Sequence, residues 1–256
     1  MLLPTYCMGT VMMHNPRASL GKASARHRQE FILGIINFVF EHLAQWRDEP
    51  RPAVDGEGLL NGQLCKTLND LARAEECNFA FHHEADQGAG RRVDIGAYEY
   101  ALGARSYSQS RYEDLTVFEA KRLPAPDRPR MREREYVTGE TTKSGGVQRF
   151  KAGLHGHACS LAAMIGYIQE HDADYFYGKI NGWIDELCCH PVDELTWDSS
   201  EKISPLQSFA NGTARTISHH PRKNGEKLVL HHLWVDMNVQ SARSQELTKM
   251  AVHPYV

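Results

Sequence analysis

The sequence predicts an α/β protein in which helices flank a mixed central β-sheet. Apolar residues recur every three or four positions in some stretches and alternate with polar ones in others, and glycine-rich turns separate these stretches. The chain has 256 residues, of which 41% are hydrophobic, so it suits one α/β domain with additions or at most two small domains. We expect an N-terminal helical extension over residues 1–54, a core over 55–190 and a C-terminal extension with a β-hairpin over 191–256.

In the first part of the chain, two helices are predicted before two strands. The first helix runs from about Ala23 to Trp46. The second presents a stripe of leucines at spacings of four, four and three: Leu60, Leu64, Leu68 and Leu71. Asn78 to Glu84 is predicted to be a short strand. Gly88-Ala89-Gly90 then turns the chain into a strand that contains Asp94, so the two strands form a hairpin.

The second part of the chain predicts two more helices and a second hairpin. A long amphipathic helix is expected to reach about His171, because apolar residues recur at three or four positions: Val147, Phe150, Leu154, Ala158, Leu161, Ile165 and Ile168. A further helix follows from about Asp174 to Leu187. Thr213 to Ser218 and Leu228 to Met237 are predicted strands joined by a Lys-Asn-Gly turn, and this hairpin either extends the sheet or forms an oligomer edge.

Two of the predicted strands carry charged residues among apolar ones. In Arg92-Val93-Asp94-Ile95-Gly96, alternation places Val93, Ile95 and Ala97 on one face and Asp94 on the other. In Val117-Phe118-Glu119-Ala120-Lys121, Glu119 and Lys121 share a face. Unpaired buried ions cost several kcal/mol each, so such a cluster must pair internally or hold a cation.

A hard divalent cation fits this set of side chains. Mg²⁺ prefers carboxylate and carbonyl oxygens, so Asp94, Glu119 and the main-chain carbonyl of Ala120 are the predicted metal ligands. Lys121 would position the attacking water and stabilise developing negative charge. The sequence therefore predicts chemistry on a phosphodiester.

An Asp on one strand followed by Glu-x-Lys on the next resembles the PD-(D/E)XK superfamily of restriction-endonuclease-like nucleases. Two more positions match over roughly residues 55 to 170: Glu57 in the helix before the Asp strand, and Gln148 at the start of the helix after the Glu-x-Lys strand. The proline of the family pattern is replaced by Val93. The resemblance implies a restriction-endonuclease-like core and the catalytic set Asp94, Glu119, Lys121, Gln148 and Glu57.

The same resemblance implies a function and a setting. It indicates a Mg²⁺-dependent nuclease, with Mn²⁺ as a substitute, that hydrolyses DNA phosphodiester bonds as an endonuclease in bacterial defence against foreign or phage DNA. A homodimer is expected because two strands of a duplex need two cuts. An ATPase or sensor subunit of a defence system is a further expected partner.

Basic residues concentrate directly after the Glu-x-Lys strand. The chain carries a net charge of -3, yet residues 121–151 hold nine basic and four acidic residues and so carry +5, which leaves -8 for the rest. Beside Lys121, the basic residues predicted to contact nucleic acid are Arg122, Arg128, Arg130, Arg132, Arg134, Lys143, Arg149 and Lys151. We interpret this segment as a loop that contacts phosphates.

Two other functions remain open. A non-catalytic nucleic-acid-binding or scaffold subunit would keep the fold without the chemistry. A histidine-dependent metallohydrolase would use the pairs at 82–83, 219–220 and 231–232 with His155 and His157, although adjacent histidines on a strand point to opposite faces.

We also expect a cytoplasmic location and no membrane partner. Six cysteines show no paired framework, the first residues lack a signal-peptide pattern, and no stretch approaches 18 apolar residues.

Overall fold

Four α-helices and seven β-strands make up the described part of the chain. The computed structural model describes residues 25–50, 52, 54, 56–100, 113–126, 132–139, 145–192, 194–222 and 224–238. The helices are α1 (Ala25–Asp48), α2 (Glu57–Ala74), α3 (Gly146–Lys151) and α4 (Ala173–Cys189), with short 3-10 helices at Arg132–Tyr136 and Ser199–Glu201. The strands are β1 (Phe79–Asp86), β2 (Arg92–Glu99), β3 (Asp114–Leu123), β4 (Leu161–Ile168), β5 (Gln207–Ser208), β6 (Thr213–Pro221) and β7 (Lys227–Asp236).

The seven strands form one mixed sheet in the order β1-β2-β3-β4-β7-β6-β5. The strand β4 is parallel to both of its neighbours, β3 and β7, and the other pairs are antiparallel. The predicted α/β class with a mixed central sheet is confirmed. The β6–β7 hairpin extends the sheet, since β7 lies directly beside β4.

Apolar clusters on both faces of the sheet hold the layers together. The helices α1 and α2 cover one face, where Val39 and Leu64 pack with sheet residues such as Ile165. On the other face, α3 and α4 pack through Phe150 and Ile180. These side chains are withdrawn from water on both faces, and this burial is the main favourable term in stability.

The long helix predicted from Val147 is wrong. The helix α3 ends at Lys151. Two residues later, Gly153 has a φ of 69°, which is the left-handed conformation common just after a helix. Residues Leu161–Ile168 then form β4, whose side chains are buried on both faces except at its first residue. A strand buried on both faces is apolar throughout, so its sequence also satisfies a helical spacing.

Candidate functional site

The strands β2 and β3 separate at the position of Asp94. Their antiparallel register ends with Ile95 opposite Phe118. Beyond this pair, the backbone N–H of Ala120 donates to Oδ2 of Asp94 over 2.7 Å. The Asp94 side chain thus takes the position of a strand partner and lies where the two strands diverge.

The alternation predicted for β2 is wrong at Val93. Ile95 packs on the α1 and α2 side of the sheet, whereas Val93 packs on the α3 and α4 side. Ala85, the β1 partner of Val93, lies on that second side as well. The preceding residue, Glu84, has a φ of 55°, and an irregular residue of this kind turns the following side chains to the other face. Asp94 lies between Val93 and Ile95, at the point in β2 where this change of face occurs.

Glu119 and Lys121 project from the same face of β3, as predicted, and Glu57 meets them from α2. Nζ of Lys121 lies 3.2 Å from Oε1 of Glu119 and donates to the carbonyl oxygen of Ala120 at 2.9 Å. It also donates to Oε1 of Glu57 at 2.9 Å, while the other oxygen of Glu57 accepts the backbone N–H of Arg122 at 3.0 Å. The first turn of α2 is therefore fixed to the end of β3. The predicted residues Glu57, Glu119 and Lys121 come together.

Two further side chains reach Glu119 from the α3 side of the sheet. Arg149 donates from Nη1 to Oε1 of Glu119 at 2.9 Å, and Nδ1 of His155 lies 3.0 Å from Oε2. Glu119 is only 2% exposed, so these contacts surround a carboxylate that has almost no access to water. The sequence indicates neither contact, because both depend on how the chain folds back after α3.

The Asp94 carboxyl group lies in an environment that opposes its ionisation. Burial and the nearby charge of Glu119 raise the pKa of Asp94 to about 7, against the opposing effects of Lys121 and the Ala120 amide. An acid in this position gains from an added positive charge. The surroundings of Asp94 thus favour either a proton or a cation.

Glu119 and Lys121 are both held in their charged forms. Burial alone would raise the pKa of Glu119, but Lys121, His155 and Arg149 outweigh it and bring the pKa to about 2. Burial alone would lower the pKa of Lys121, but the charges of Glu119 and Glu57 raise it above its ordinary value. Lys121 is therefore an ammonium donor to Glu57, Glu119 and the carbonyl of Ala120.

The predicted metal ligands offer oxygen atoms, but they are too few to surround a metal ion without added water. Within the described ranges, no group of three or more His, Cys, Asp and Glu side chains could hold a metal ion. A hard cation here would have the carboxylates of Asp94 and Glu119, the carbonyl of Ala120 and several waters, which suits Mg²⁺. The Lys121 ammonium already contacts two of these three groups, Glu119 and the carbonyl of Ala120.

The basic residues predicted to bind nucleic acid fall in several places. Arg122 lines a cavity of about 190 Å³ beside the site, together with Glu57, Lys121 and Tyr136. Arg134 forms an ion pair with Glu186 of α4 and its side chain stays 42% exposed. Four further positions cannot be placed: Arg128, Arg130 and Lys143 lie outside the described residues, and so does the side chain of Arg132.

The side chains of Gln148 and Lys151 are both buried. The Gln148 side chain is fully buried, and its oxygen accepts the backbone N–H groups of Gly139 and Gly145 at 3.2 and 3.1 Å. It thus closes the loop before α3, and the catalytic role that the resemblance implies for Gln148 stays a prediction. Lys151 is buried in an ion pair with Glu201, so a nucleic acid cannot reach it.

Two of the remaining histidines belong to a buried chain of hydrogen bonds. Nδ1 of His220 lies 2.7 Å from Oε2 of Glu201, and its Nε2 lies 2.7 Å from Oγ of Ser218. Ser218 contacts Nε2 of His232 at 2.8 Å, and Nδ1 of His232 contacts the Tyr136 hydroxyl at 2.8 Å. All five residues are at most 1% exposed, which leaves no path for a substrate to this Ser-His-Glu arrangement.

No known protein family matches this chain, and comparison with curated proteins and with solved structures gives no significant match. Among the described helices, none combines the length and apolarity that a membrane crossing requires.

Proposed function

We propose that this chain is a Mg²⁺-dependent nuclease with a restriction-endonuclease-like core that hydrolyses phosphodiester bonds of DNA. The convergence of Asp94, Glu119 and Lys121 where β2 and β3 diverge carries the proposal. Glu57, which holds Lys121 from the start of α2, supports it. These four residues come from three elements and share one charged, largely buried cluster.

A divalent cation would be held by Asp94, Glu119 and the carbonyl oxygen of Ala120. When bound, it would neutralise charge on the scissile phosphate and act as a Lewis acid. Mn²⁺ is expected to substitute for Mg²⁺, since it prefers the same oxygen ligands.

The protein's own groups orient the reaction and bind the phosphate. Glu57 and the Ala120 carbonyl fix the Lys121 ammonium, which donates a hydrogen bond to the attacking water and stabilises negative charge as it develops. Arg122, on the wall of the adjoining cavity, offers a guanidinium for a neighbouring phosphate of the backbone.

The test is cleavage by the purified protein. Linear duplex, closed circular and single-stranded DNA and RNA would be incubated with EDTA, Mg²⁺ or Mn²⁺. We expect metal-dependent cutting of DNA that falls at least about 100-fold in Lys121→Ala, because a preorganised donor to developing charge is lost. Lys66→Ala, an exposed lysine of α2, is the matched control and should keep full activity. Equal cutting by Lys121→Ala and Lys66→Ala would contradict the proposal.

A second candidate is a non-catalytic nucleic-acid-binding subunit that retains the fold. The observation that favours it is the set of nitrogen contacts around Glu119, which satisfies this carboxylate without a metal. This candidate predicts that the protein binds DNA but cuts no substrate with either metal, and that Asp94→Asn leaves binding unchanged.

The wider setting is part of the same proposal. A homodimer that cuts both strands, an ATPase or sensor subunit as a partner, a role in bacterial defence and a cytoplasmic location all follow from the family resemblance. Sedimentation of the purified protein with and without duplex DNA would test the dimer directly.

A further inference from the structure

A second cavity adjoins the cavity beside Lys121. Its volume is about 90 Å³, and it lies between Pro124, which directly follows β3, and the helix α4. Glu133 lines both cavities. Pro124 comes three residues after Lys121, which is roughly 10 Å along the chain at the rise of a strand. A nucleic acid whose scissile phosphate lies at Lys121 would therefore bring an adjacent nucleotide close to the second cavity.

The described residues that line the second cavity include three aromatic side chains and one imidazole. Tyr175 and His171 stack on each other, with ring centres 3.9 Å apart and planes 20° apart. The rings of Phe176 and Trp183 are buried at 2% and 7% exposure, whereas Tyr175 is 39% exposed. Aromatic side chains bind flat rings by stacking and edge contacts, and nucleobases bind proteins in this way. The walls of the second cavity therefore favour a flat ring.

The charged residues of the second cavity narrow the choice of ligand. Its lining includes the carboxylates of Glu133 and Glu170 and the ammonium of Lys179. Two carboxylates repel a phosphate group. A cationic ligand is disfavoured as well, because Nζ of Lys179 already lies over the ring of Tyr175, 5.5 Å from its centre. A neutral ring that donates hydrogen bonds to a carboxylate and accepts one from an ammonium suits this cavity.

Among the nucleobases, cytosine fits this description with the smallest ring system. Its amino group supplies two hydrogen-bond donors, and a carboxylate is a usual acceptor for them. Thymine has a carbonyl oxygen and a methyl group in the corresponding places. One water needs about 10–15 Å³ of such space, so a cavity of about 90 Å³ holds roughly six waters or one six-membered ring. A purine has two fused rings and would protrude.

We propose that the second cavity binds an unpaired cytosine of the nucleic acid, next to the phosphate that is cut. The inference rests on the proposed function and adds a base preference to it. The amino group of cytosine belongs to the edge that pairs with guanine in a duplex, so the base must leave its partner before Glu133 or Glu170 can accept from it. Single strands and locally opened duplexes that contain cytosine are therefore the preferred ligands.

The first experiment measures binding of single-stranded DNA by fluorescence anisotropy in EDTA, which prevents cutting. The probes are oligonucleotides of about 12 thymidines, with and without a central run of cytidines. We expect the unaltered protein to bind the cytidine-containing probe at least about fivefold more tightly, because one well-placed base contact discriminates by this much or more.

Variants of Tyr175 test the aromatic wall. Tyr175→Ala should bind the cytidine-containing probe at least about fivefold more weakly, since loss of one stacking side chain has an effect of this size. Tyr175→Phe keeps the ring and should keep the affinity. Tyr100→Ala is the matched control, because this tyrosine is 67% exposed and follows β2, outside the second cavity. Its affinity should not change.

Variants of the two carboxylates test how the base is read. Glu133→Gln and Glu170→Gln remove negative charge and so raise the affinity for any DNA, which makes the ratio between the two probes the informative quantity. We expect this ratio to fall at least about fivefold in one of the two variants, because an amide can also donate to the carbonyl oxygen of thymine. Glu41→Gln, an exposed carboxylate of α1, should keep the ratio. An unchanged ratio in both cavity variants would overturn the reading of cytosine by these carboxylates.

The outcomes separate this inference from the proposed function. If the protein cuts DNA with Mg²⁺ but binds both probes equally, or if Tyr175→Ala binds as Tyr100→Ala does, the base site is overturned and the nuclease stands. If cytosine is preferred through Tyr175 but neither metal supports cutting, the base site stands in a protein that is not a nuclease. If no DNA is bound, both the base site and the nuclease fail.

Discussion

The carboxyl group of Asp94 shows, at the scale of one residue, how a buried acid lowers stability once it ionises. Its pKa of about 7 lies well above the ordinary value of about 3.9 for an aspartic acid. The folded state therefore holds the proton more tightly than the unfolded chain does, and the contribution of Asp94 to stability falls as the pH rises from about 4 through about 7. Above about pH 7, the folded protein contains a buried Asp94 carboxylate whose negative charge is not fully compensated by its neighbours.

We predict that Asp94→Asn stabilises the protein at about pH 8. The amide removes the charge while its oxygen can still accept the N–H of Ala120, so we expect the free energy of unfolding to rise by about 1–3 kcal/mol. Urea denaturation at about pH 8 and pH 4 would measure it, and the gain should vanish at the lower pH. Glu41→Gln, an exposed carboxylate of α1, is the control. A variant that is no more stable at pH 8 would show that Asp94 is not strained by its charge.

Sequence reasoning located some site residues and missed the contacts of others. Glu119 and Lys121 were found because strand alternation alone places them on one face. Glu57 was found through its place in the first turn of a helix. The contacts of Arg149 and His155 with Glu119 were not found, because a contact across 30 or more residues depends on the path of the chain after α3.

At the scale of elements, the turn between α3 and β4 decides which side chains meet β3. A helix continued beyond Lys151 would have carried His155 away from the sheet. Instead Gly153 and Gly156 have φ angles of 69° and 53°, which glycine adopts without strain, and the chain folds back. The two glycines are visible in the sequence and would have argued against a helix over this stretch. A helix was predicted nevertheless, because the apolar residues of β4 also recur at helical spacing.

We predict that Gly156→Ala destabilises the protein more than Gly153→Ala does. Both substitutions force a side chain into a left-handed backbone conformation, which costs roughly 1–2 kcal/mol. At Gly156 the new Cβ would also lie 2.8 Å from Cγ2 of Val117, whereas at Gly153 nothing lies within 4 Å among the described neighbours. We expect an additional loss of about 1–3 kcal/mol for Gly156→Ala, measured by chemical denaturation. Similar losses in the two variants would contradict this account of the turn.

At the scale of the whole molecule, the first helix and the last hairpin belong to the same packed body as the site. The buried guanidinium of Arg47, near the end of α1, donates to the carbonyl oxygens of Asn211 and Asp236 at 2.9 and 3.2 Å. The fold class and the hairpins could be predicted, since periodicity and turn residues are local. The strand order could not, because the parallel pairing of β4 with β3 and β7 joins distant segments.

The buried chain from Glu201 to Tyr136 links this hairpin to the elements around the site. One arrangement of protons satisfies every contact: Tyr136 donates to His232, His232 to Ser218, Ser218 to His220, and His220 to Glu201. Each histidine is then neutral, with one nitrogen donating and one accepting. Protonating either ring would put an N–H on the nitrogen that accepts, so the hydroxyl group of Ser218 or Tyr136 would have to turn its own hydrogen away and lose that hydrogen bond.

We therefore predict that the contribution of these two histidines to stability falls as the pH drops from about 7 to about 5.5. Burial lowers the pKa of His220 and lowers that of His232 well below its usual value, so the unfolded chain takes up protons that the folded protein refuses. For these two residues the free energy of unfolding should decrease over this window, by at most about 1.4 kcal/mol per pH unit for each ring that takes up a proton only on unfolding. Urea denaturation at several pH values would give the slope of the free energy of unfolding against pH. This slope should be less positive for His232→Gln, whose amide can both donate and accept in the same chain of hydrogen bonds. The exposed His83→Gln should reproduce the original slope. If His232→Gln kept that slope as well, the proton uptake would have to arise elsewhere in the molecule.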